Sequence, residues 1–137
     1  MHSYAKFSGT QLPHIIGLDQ SNGIRKADGK PGHLSYGPYI DLAAGDYTAG
    51  FYVRRCGKFD AGFVEIEAYC ATGETQFAHR KIAAQHIMQD IHGLLKLDFA
   101  LHRDFQAVEI RLYVSENLII EIRDLVIFRR PQKIQAR

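Results

Sequence analysis

The sequence has no tryptophan, only two cysteines and four prolines, and almost no net charge: 17 basic residues stand against 15 acidic ones over 137 positions, a formal charge of +2. Each shortage excludes something. Near balance of charge argues against a strongly basic nucleic-acid binder, and a charged fraction of 23% beside 46% apolar residues argues against general disorder. No stretch approaches the roughly 18 apolar residues that a membrane span needs, since the cleanest run, Leu118-Ile119-Ile120, stops at Glu121. The first residues show no apolar segment between a basic head and a small-residue cleavage site, so a signal peptide is not read and the expected compartment is the cytoplasm. With no secretory signal, Cys56 and Cys70 are expected as reduced thiols although they fall on consecutive predicted strands. No C-x-x-C occurs, which excludes a thiolate zinc site or a dithiol redox centre.

Catalytic signatures are missing as well. The seven histidines (His2, His14, His33, His79, His86, His92 and His102) are scattered, with no H-x-H or H-E-x-x-H spacing to put two imidazoles on one metal. There is no G-x-S-x-G, and Gly29, Gly32 and Gly37 are spaced for turns, with no helix behind them to cradle a phosphate. Glu65 and Glu67 share a strand face at about 7 Å, a separation that could serve glycoside hydrolysis but that any solvated strand also produces. The chain is read as no enzyme and without a cofactor. The small positive charge is itself local: residues 129–137 hold Arg129, Arg130, Lys133 and Arg137 and no acid. Residues 131–137 are therefore read as a basic C-terminal tail and residues 1–130 as a single domain.

What the sequence does have is a two-residue rhythm. Residues 1–35 read as an irregular N-terminal wrap punctuated by Ser8-Gly9, Asn22-Gly23, Asp28-Gly29 and Pro31-Gly32. From Tyr36 the period becomes two. Tyr47, Ala49, Phe51 and Val53 alternate with Thr48, Gly50, Tyr52 and Arg54, and Val64, Ile66, Ala68 and Cys70 alternate with Phe63, Glu65, Glu67 and Tyr69. Thr72-Gly73-Glu74 marks a turn, and the return strand near 76–83 has no clear facing. Ile87, Met88 and Ile91 hint at a helical period, and 84–92 is read as a loop or single turn. Leu95 to Leu101 and Val108 to Val114 are the clearest strands, and Asp124 interrupts the last one as a bulge would. About eight strands, each with one apolar face and no long helix, predict an all-β fold: an antiparallel β-sandwich with jelly-roll character.

The run His33-Leu-Ser-Tyr-Gly-Pro-Tyr-Ile-Asp-Leu-Ala-Ala-Gly-Asp-Tyr-Thr-Ala-Gly-Phe51 resembles the opening of a galactose-binding-like β-sandwich domain of the carbohydrate-binding-module type, associated with bacterial glycosyltransferases and polysaccharide proteins. The closing segment Ile120-Glu-Ile-Arg-Asp-Leu-Val-Ile127 is similar to the last strands of such modules. The resemblance implies a non-catalytic, lectin-like module for a bacterial glycan. It also places Asp124 where similar modules hold a structural calcium, with Asp19, Asp28 and Asp41 as companion candidates.

Sugar recognition needs aromatic rings for the C–H faces and bidentate Arg, Glu or Asp groups for vicinal hydroxyls. Tyr36, Tyr39, Tyr52 and Tyr69 are the stacking candidates, and His33, Arg54, Glu67 and Arg111 the hydroxyl partners. The competing explanation of the same residues is ordinary cross-strand pairing, and the competing function is a protein-interaction domain that forms a homodimer or docks a glycosyltransferase partner.

Overall fold

The computed structural model describes residues 4–57 and 61–131. Among the described residues eleven strands run in the order β1 (Tyr4–Phe7), β2 (Leu18–Asp19), β3 (Arg25–Lys26), β4 (Gly32–Ser35), β5 (Pro38–Leu42), β6 (Gly45–Arg55), β7 (Phe63–Cys70), β8 (Thr75–Ala83), β9 (Gly93–Leu101), β10 (Phe105–Val114) and β11 (Ile120–Arg129). They form two antiparallel sheets. One has the order β2-β3-β11-β6-β9, with β1 also pairing β11; the other has the order β4-β10-β7-β8, with β5 also pairing β10.

The alternation in sequence explains why the sheets stack. Tyr47, Phe51, Leu97, Phe99, Ile120 and Ile127 point inward from the first sheet against Val64, Ile66, Ile110, Leu112 and Val114 of the second, and all are buried. Each such aliphatic or aromatic side chain contributes about 1.5–3 kcal/mol on leaving water. Tyr47 is buried with its ring stacked on Phe99 at 5.5 Å. Its hydroxyl donates to the Ala43 carbonyl at 2.7 Å, so its one polar atom is satisfied. Cys70 is a buried free thiol at the end of β7, and Cys56, also free, follows β6.

Departures from strict alternation fall at bulges. On β11, Ile122 pairs with Val53 and Leu125 with Phe51, so Arg123 and Asp124 together oppose Tyr52. The extra residue shifts the inward set from Ile120 and Ile122 to Leu125 and Ile127. On β8, Ala78 pairs with Ala68 and Gln76 with Tyr69, which leaves Phe77 as the additional residue. Phe77 and Ala78 both pack on the core, and this is why the facing of that segment cannot be read from a period of two. The 84–92 segment contains one 3-10 turn, Ala84–His86.

Between residues 4 and 35 the chain is more ordered than its composition suggests, with four short strands in place of an irregular wrap. Two-residue strands are too short to show a period, so β2 and β3 leave no signature in sequence. Their organiser is Arg25, 1% exposed. It donates to the Leu12 carbonyl at 2.7 Å and the Leu34 carbonyl at 3.1 Å, and its Nε lies 2.5 Å from the Asp19 carboxylate. Of the basic tail, residues 132–137, with Lys133 and Arg137, lie outside the described residues.

Replacing Arg25 by Met retains bulk but leaves two buried carbonyls and one carboxylate without their donor. Urea denaturation should show a loss of about 2–4 kcal/mol, since each abandoned buried polar group costs about 1–3 kcal/mol. Arg25 also holds the Asp19 carboxyl below the usual carboxylate range through its hydrogen bond, against a smaller opposing effect of burial. The stabilisation from this pair is therefore complete above the ordinary Asp value of about 3.9 and is lost as pH falls through the lower folded value. An Asp19→Asn variant should lose that acid-limb dependence, and an unchanged acid limb would contradict the assignment.

Candidate functional site

The outer face of the five-stranded sheet gathers polar and aromatic side chains that the register aligns in rows. Across the sheet, Tyr113 stands between His33 on β4 and Glu65 on β7, and Glu65 pairs with Lys81 on β8. In the next row Arg111 pairs with Glu67, and Glu67 with His79; beyond it Glu109 pairs with Tyr69, and Tyr69 with Gln76. These positions face outward because their neighbours Val64, Ile66, Ala68, Ile110, Leu112 and Val114 fill the core.

Two ladders result. The aromatic one runs Phe63–Tyr113–His33, with Phe63 stacked on Tyr113 at 6.2 Å and His33 edge-on to Tyr113 at 5.7 Å. Lys81 Nζ caps it, 4.0 Å above the Phe63 ring. The polar ladder is centred on Glu67, whose Oε1 accepts from Arg111 Nε at 2.7 Å and from Arg111 Nη2, and whose Oε2 accepts from Gln76. Arg111 in turn lies 4.0 Å over the Tyr69 ring. His79 Nε2 is 3.2 Å from Glu65 Oε2. Between the ladders lies a shallow cleft of about 140 Å³ lined by His33, Glu65, Glu67, Gln76, His79, Arg111 and Tyr113.

Chemically the arrangement suits a polyhydroxylated ligand. Arg111 Nη1, Glu65 Oε1 and the Tyr113 hydroxyl have no protein partner among the described residues, so residues lining the cleft keep both donor and acceptor capacity beside an aromatic surface. Burial lowers the pKa of His33, helped by the neighbouring Arg111 guanidinium, so its imidazole is held neutral and presents one donor and one acceptor.

Of the residues singled out in sequence, His33, Glu67, Tyr69 and Arg111 meet on this face. Tyr36 and Tyr39 lie at its β5 margin; burial and the adjacent Glu109 raise the Tyr39 phenol, which is half exposed. Tyr52 and Arg54 do not join them. Both sit on β6 in the other sheet, where Arg54 Nη2 donates to both oxygens of Glu121, at 2.9 and 2.7 Å. Alternation says which residues face outward, but not from which of two sheets. Gln76 and His79 went unrecognised because the β8 bulge hides their facing.

Asp124 pairs with Lys6 at 3.3 Å. Asp19 is held by Arg25, Asp28 accepts from the Lys30 amide at 3.2 Å, and Asp41 accepts from the Ala107 amide at 3.0 Å. The four carboxylates thus serve four separate partners. Among the described residues no group of three or more His, Cys, Asp and Glu side chains is placed to hold a metal ion.

Neither a protein-family model nor a curated protein sequence matches the chain. Solved structures do. The chain is similar to the C-terminal CBM6 of LamC, a marine laminarinase from Zobellia galactanivorans, with a TM-score of 0.63 at 13% identity over 92% of this chain and 99% of that one. It is also similar to the CBM22-1–GH10 modules of xylanase 10B from Clostridium thermocellum, crystallised with xylohexaose, with a TM-score of 0.52 at 11% identity over 98% of this chain and 27% of that one. The VP2 subviral particle of infectious bursal disease virus gives a TM-score of 0.52 at 10% identity, over 92% of this chain and 33% of that one. At these identities the likeness shows the fold, a β-sandwich of the kind found in carbohydrate-binding modules.

The depressed His33 pKa gives a measurable sign. NMR titration should find this imidazole protonating below the ordinary value of about 6.5, and Arg111→Ala should move it upward by removing a like charge. Because the unfolded chain takes up the proton first, His33 lowers stability as pH falls below about 6.5. A His33 that titrates at the ordinary value would refute the half-buried, neutral placement.

Proposed function

We propose that this chain is a non-catalytic carbohydrate-binding module that receives a stretch of glycan on the outer face of its five-stranded sheet. The observation that carries the reading is the convergence of the aromatic ladder Phe63–Tyr113–His33 with the polar ladder Gln76–Glu67–Arg111 on one cleft. A pyranose ring offers an apolar C–H face to the first and vicinal hydroxyls to the second. Cross-strand pairing alone would account for any one of these contacts, but not for a fused aromatic and polar surface with unpaired donors and acceptors. Glu65 and Glu67 are each engaged, by His79 and by Arg111 with Gln76, which favours recognition over general acid chemistry at this pair. The resemblance of the His33–Phe51 run points to a bacterial polysaccharide as the glycan and to a glycosyltransferase or polysaccharide-assembly protein as its setting.

A second reading, protein docking, is favoured by one observation. Met88 and Ile91 in the β8–β9 connection and Leu94 at the start of β9 are 55%, 57% and 39% exposed, and none of them lines the cleft. Docking there is compatible with glycan binding on the other sheet.

Calorimetry or affinity electrophoresis against soluble polysaccharides tests the main reading. Saturable binding is expected, with Arg111→Ala and Tyr113→Ala each weakening it roughly ten- to a hundredfold, the loss of one charge-assisted hydrogen bond or one stacking surface. Absence of saturable binding to any glycan at millimolar concentration would remove the proposal.

A further inference from the structure

Among the strand edges that the described residues present, β9 differs from the rest. It closes one side of the six-stranded sheet and pairs only with β6. Its nine residues include no proline, and its pairing with β6 runs from Gly93 to Leu101 without a register shift. Edges are usually blunted by shortness, a bulge, a proline or charge of one sign. The other edges carry these devices. β2 has two residues, and β1 and β4 have four each. β5 starts at Pro38 and pairs irregularly with β10. β8 is bulged at Phe77 and lines up His79, Arg80 and Lys81, so a second copy laid along it would meet like charge.

Strand geometry shows which groups β9 leaves open. In an antiparallel strand the N–H and C=O of one residue point to the same side, and successive residues alternate. The Lys96 carbonyl points away from β6, since it accepts from Arg80 Nη1 of the facing sheet at 2.9 Å. Leu94, Asp98 and Ala100 share its parity, so their amides and carbonyls line the free edge. Their side chains are exposed on the outer face, whereas Leu95, Leu97, Phe99 and Leu101 are buried.

An edge of this parity admits a second β9 in few antiparallel registers, and charge selects among them. With the two-fold axis at Leu97, Lys96 faces the partner's Asp98, Asp98 faces the partner's Lys96, and Leu94 faces the partner's Ala100. All of these are edge-facing residues, so each facing pair exchanges hydrogen bonds. An axis at Lys96 or at Asp98 would set like charges directly opposite each other. An axis at Leu95 or Phe99 would set Lys96 against Leu94, or Asp98 against Ala100. Both charges are available: no ion pair among the described residues includes Lys96 or Asp98, and Asp98 uses Oδ1 to accept from Thr48 Oγ1 at 2.6 Å.

We propose that β9 is a homodimerisation edge, which pairs antiparallel with β9 of a second copy about a two-fold axis at Leu97 and joins the two six-stranded sheets into one. The contact is isologous and closes on itself, leaving no β9 edge exposed. Arg80 holds one lone pair of the Lys96 carbonyl, and the partner's Asp98 amide takes the other. The axis stands perpendicular to the joined sheet, so both five-stranded sheets lie on the same side of it. The pairing needs no ligand and is independent of the glycan reading.

Sedimentation equilibrium of the full chain, with residue-resolved hydrogen exchange by NMR, tests it. A reversible monomer–dimer equilibrium is expected, with a dissociation constant below about 1 mM, since one strand pair is a small interface. Raising the concentration should slow exchange at the Leu94, Lys96, Asp98 and Ala100 amides, while those of Leu95, Leu97 and Phe99, bonded to β6, stay slow throughout. Lys96→Asp and Asp98→Lys each set like charges opposite in both pairs and should weaken the dimer roughly tenfold or more. Both side chains are exposed, so the fold is kept, and an equimolar mixture of the two variants restores opposite charge in both pairs and should recover the dimer. A chain still monomeric at about 1 mM would overturn the proposal. So would a dimer that survives both charge reversals, one that leaves exchange at Lys96 and Asp98 unchanged, or a mixture that fails to recover it.

Discussion

The fold turns on how one buried cation is satisfied. Arg25 belongs to β3 in the six-stranded sheet, yet its guanidinium reaches the Leu34 carbonyl on β4 in the five-stranded sheet and the Leu12 carbonyl in the preceding loop. A charge taken this far from water persists only when every donor finds an acceptor, and here the chain itself bends to provide them. The consequence reaches the candidate site. Leu34 is the neighbour of His33, so the bond that satisfies Arg25 also fixes the strand that carries the imidazole to Tyr113. The N-terminal residues thus complete the sheet on which the cleft is built.

The same economy governs the cleft. Arg111 contacts Glu67 through two nitrogens, covers Tyr69, and depresses His33 through its charge. Because both ends of the polar ladder are tied, the cleft is stiff before any ligand arrives. The side chains immobilised by a ligand would then be few, which favours binding of a weakly interacting sugar. Both Glu67 oxygens are occupied, which leaves Arg111 Nη1, Glu65 Oε1, Tyr113 and His33 as the groups of this face with spare hydrogen-bonding capacity.

Much of this was legible from residues alone, and the gaps have identifiable causes. The alternation in β6, β7, β9 and β10 dictates inward and outward faces because a strand has only two, and the sandwich follows from burying the inward ones. The bulge at Asp124 announced itself as a change of parity. Short strands β1 to β4 were invisible because a period needs more than two to four residues to show. Four of the eight residues singled out for binding meet on one face, two more lie at its margin, and Tyr52 and Arg54 went to the other sheet, since sheet membership is set by long-range pairing that local pattern does not encode.

A fold of this kind does not select its own function. The same sandwich geometry is shared, at 10–13% identity, with modules of a laminarinase and a xylanase and with a viral particle protein. What separates a sugar-binding face from an assembly face is therefore local: unpaired hydrogen-bonding groups beside exposed rings in the first case, contiguous apolar surface in the second. On the five-stranded sheet this chain has hydrogen-bonding groups without a protein partner among the described residues beside aromatic rings, and Met88, Ile91 and Leu94 are exposed in the β8–β9 connection and at the start of β9. The cleft lies on the five-stranded sheet and Leu94 on the six-stranded one, and the two sheets are tied by the Arg25–Leu34 and Arg80–Lys96 hydrogen bonds as well as by the core.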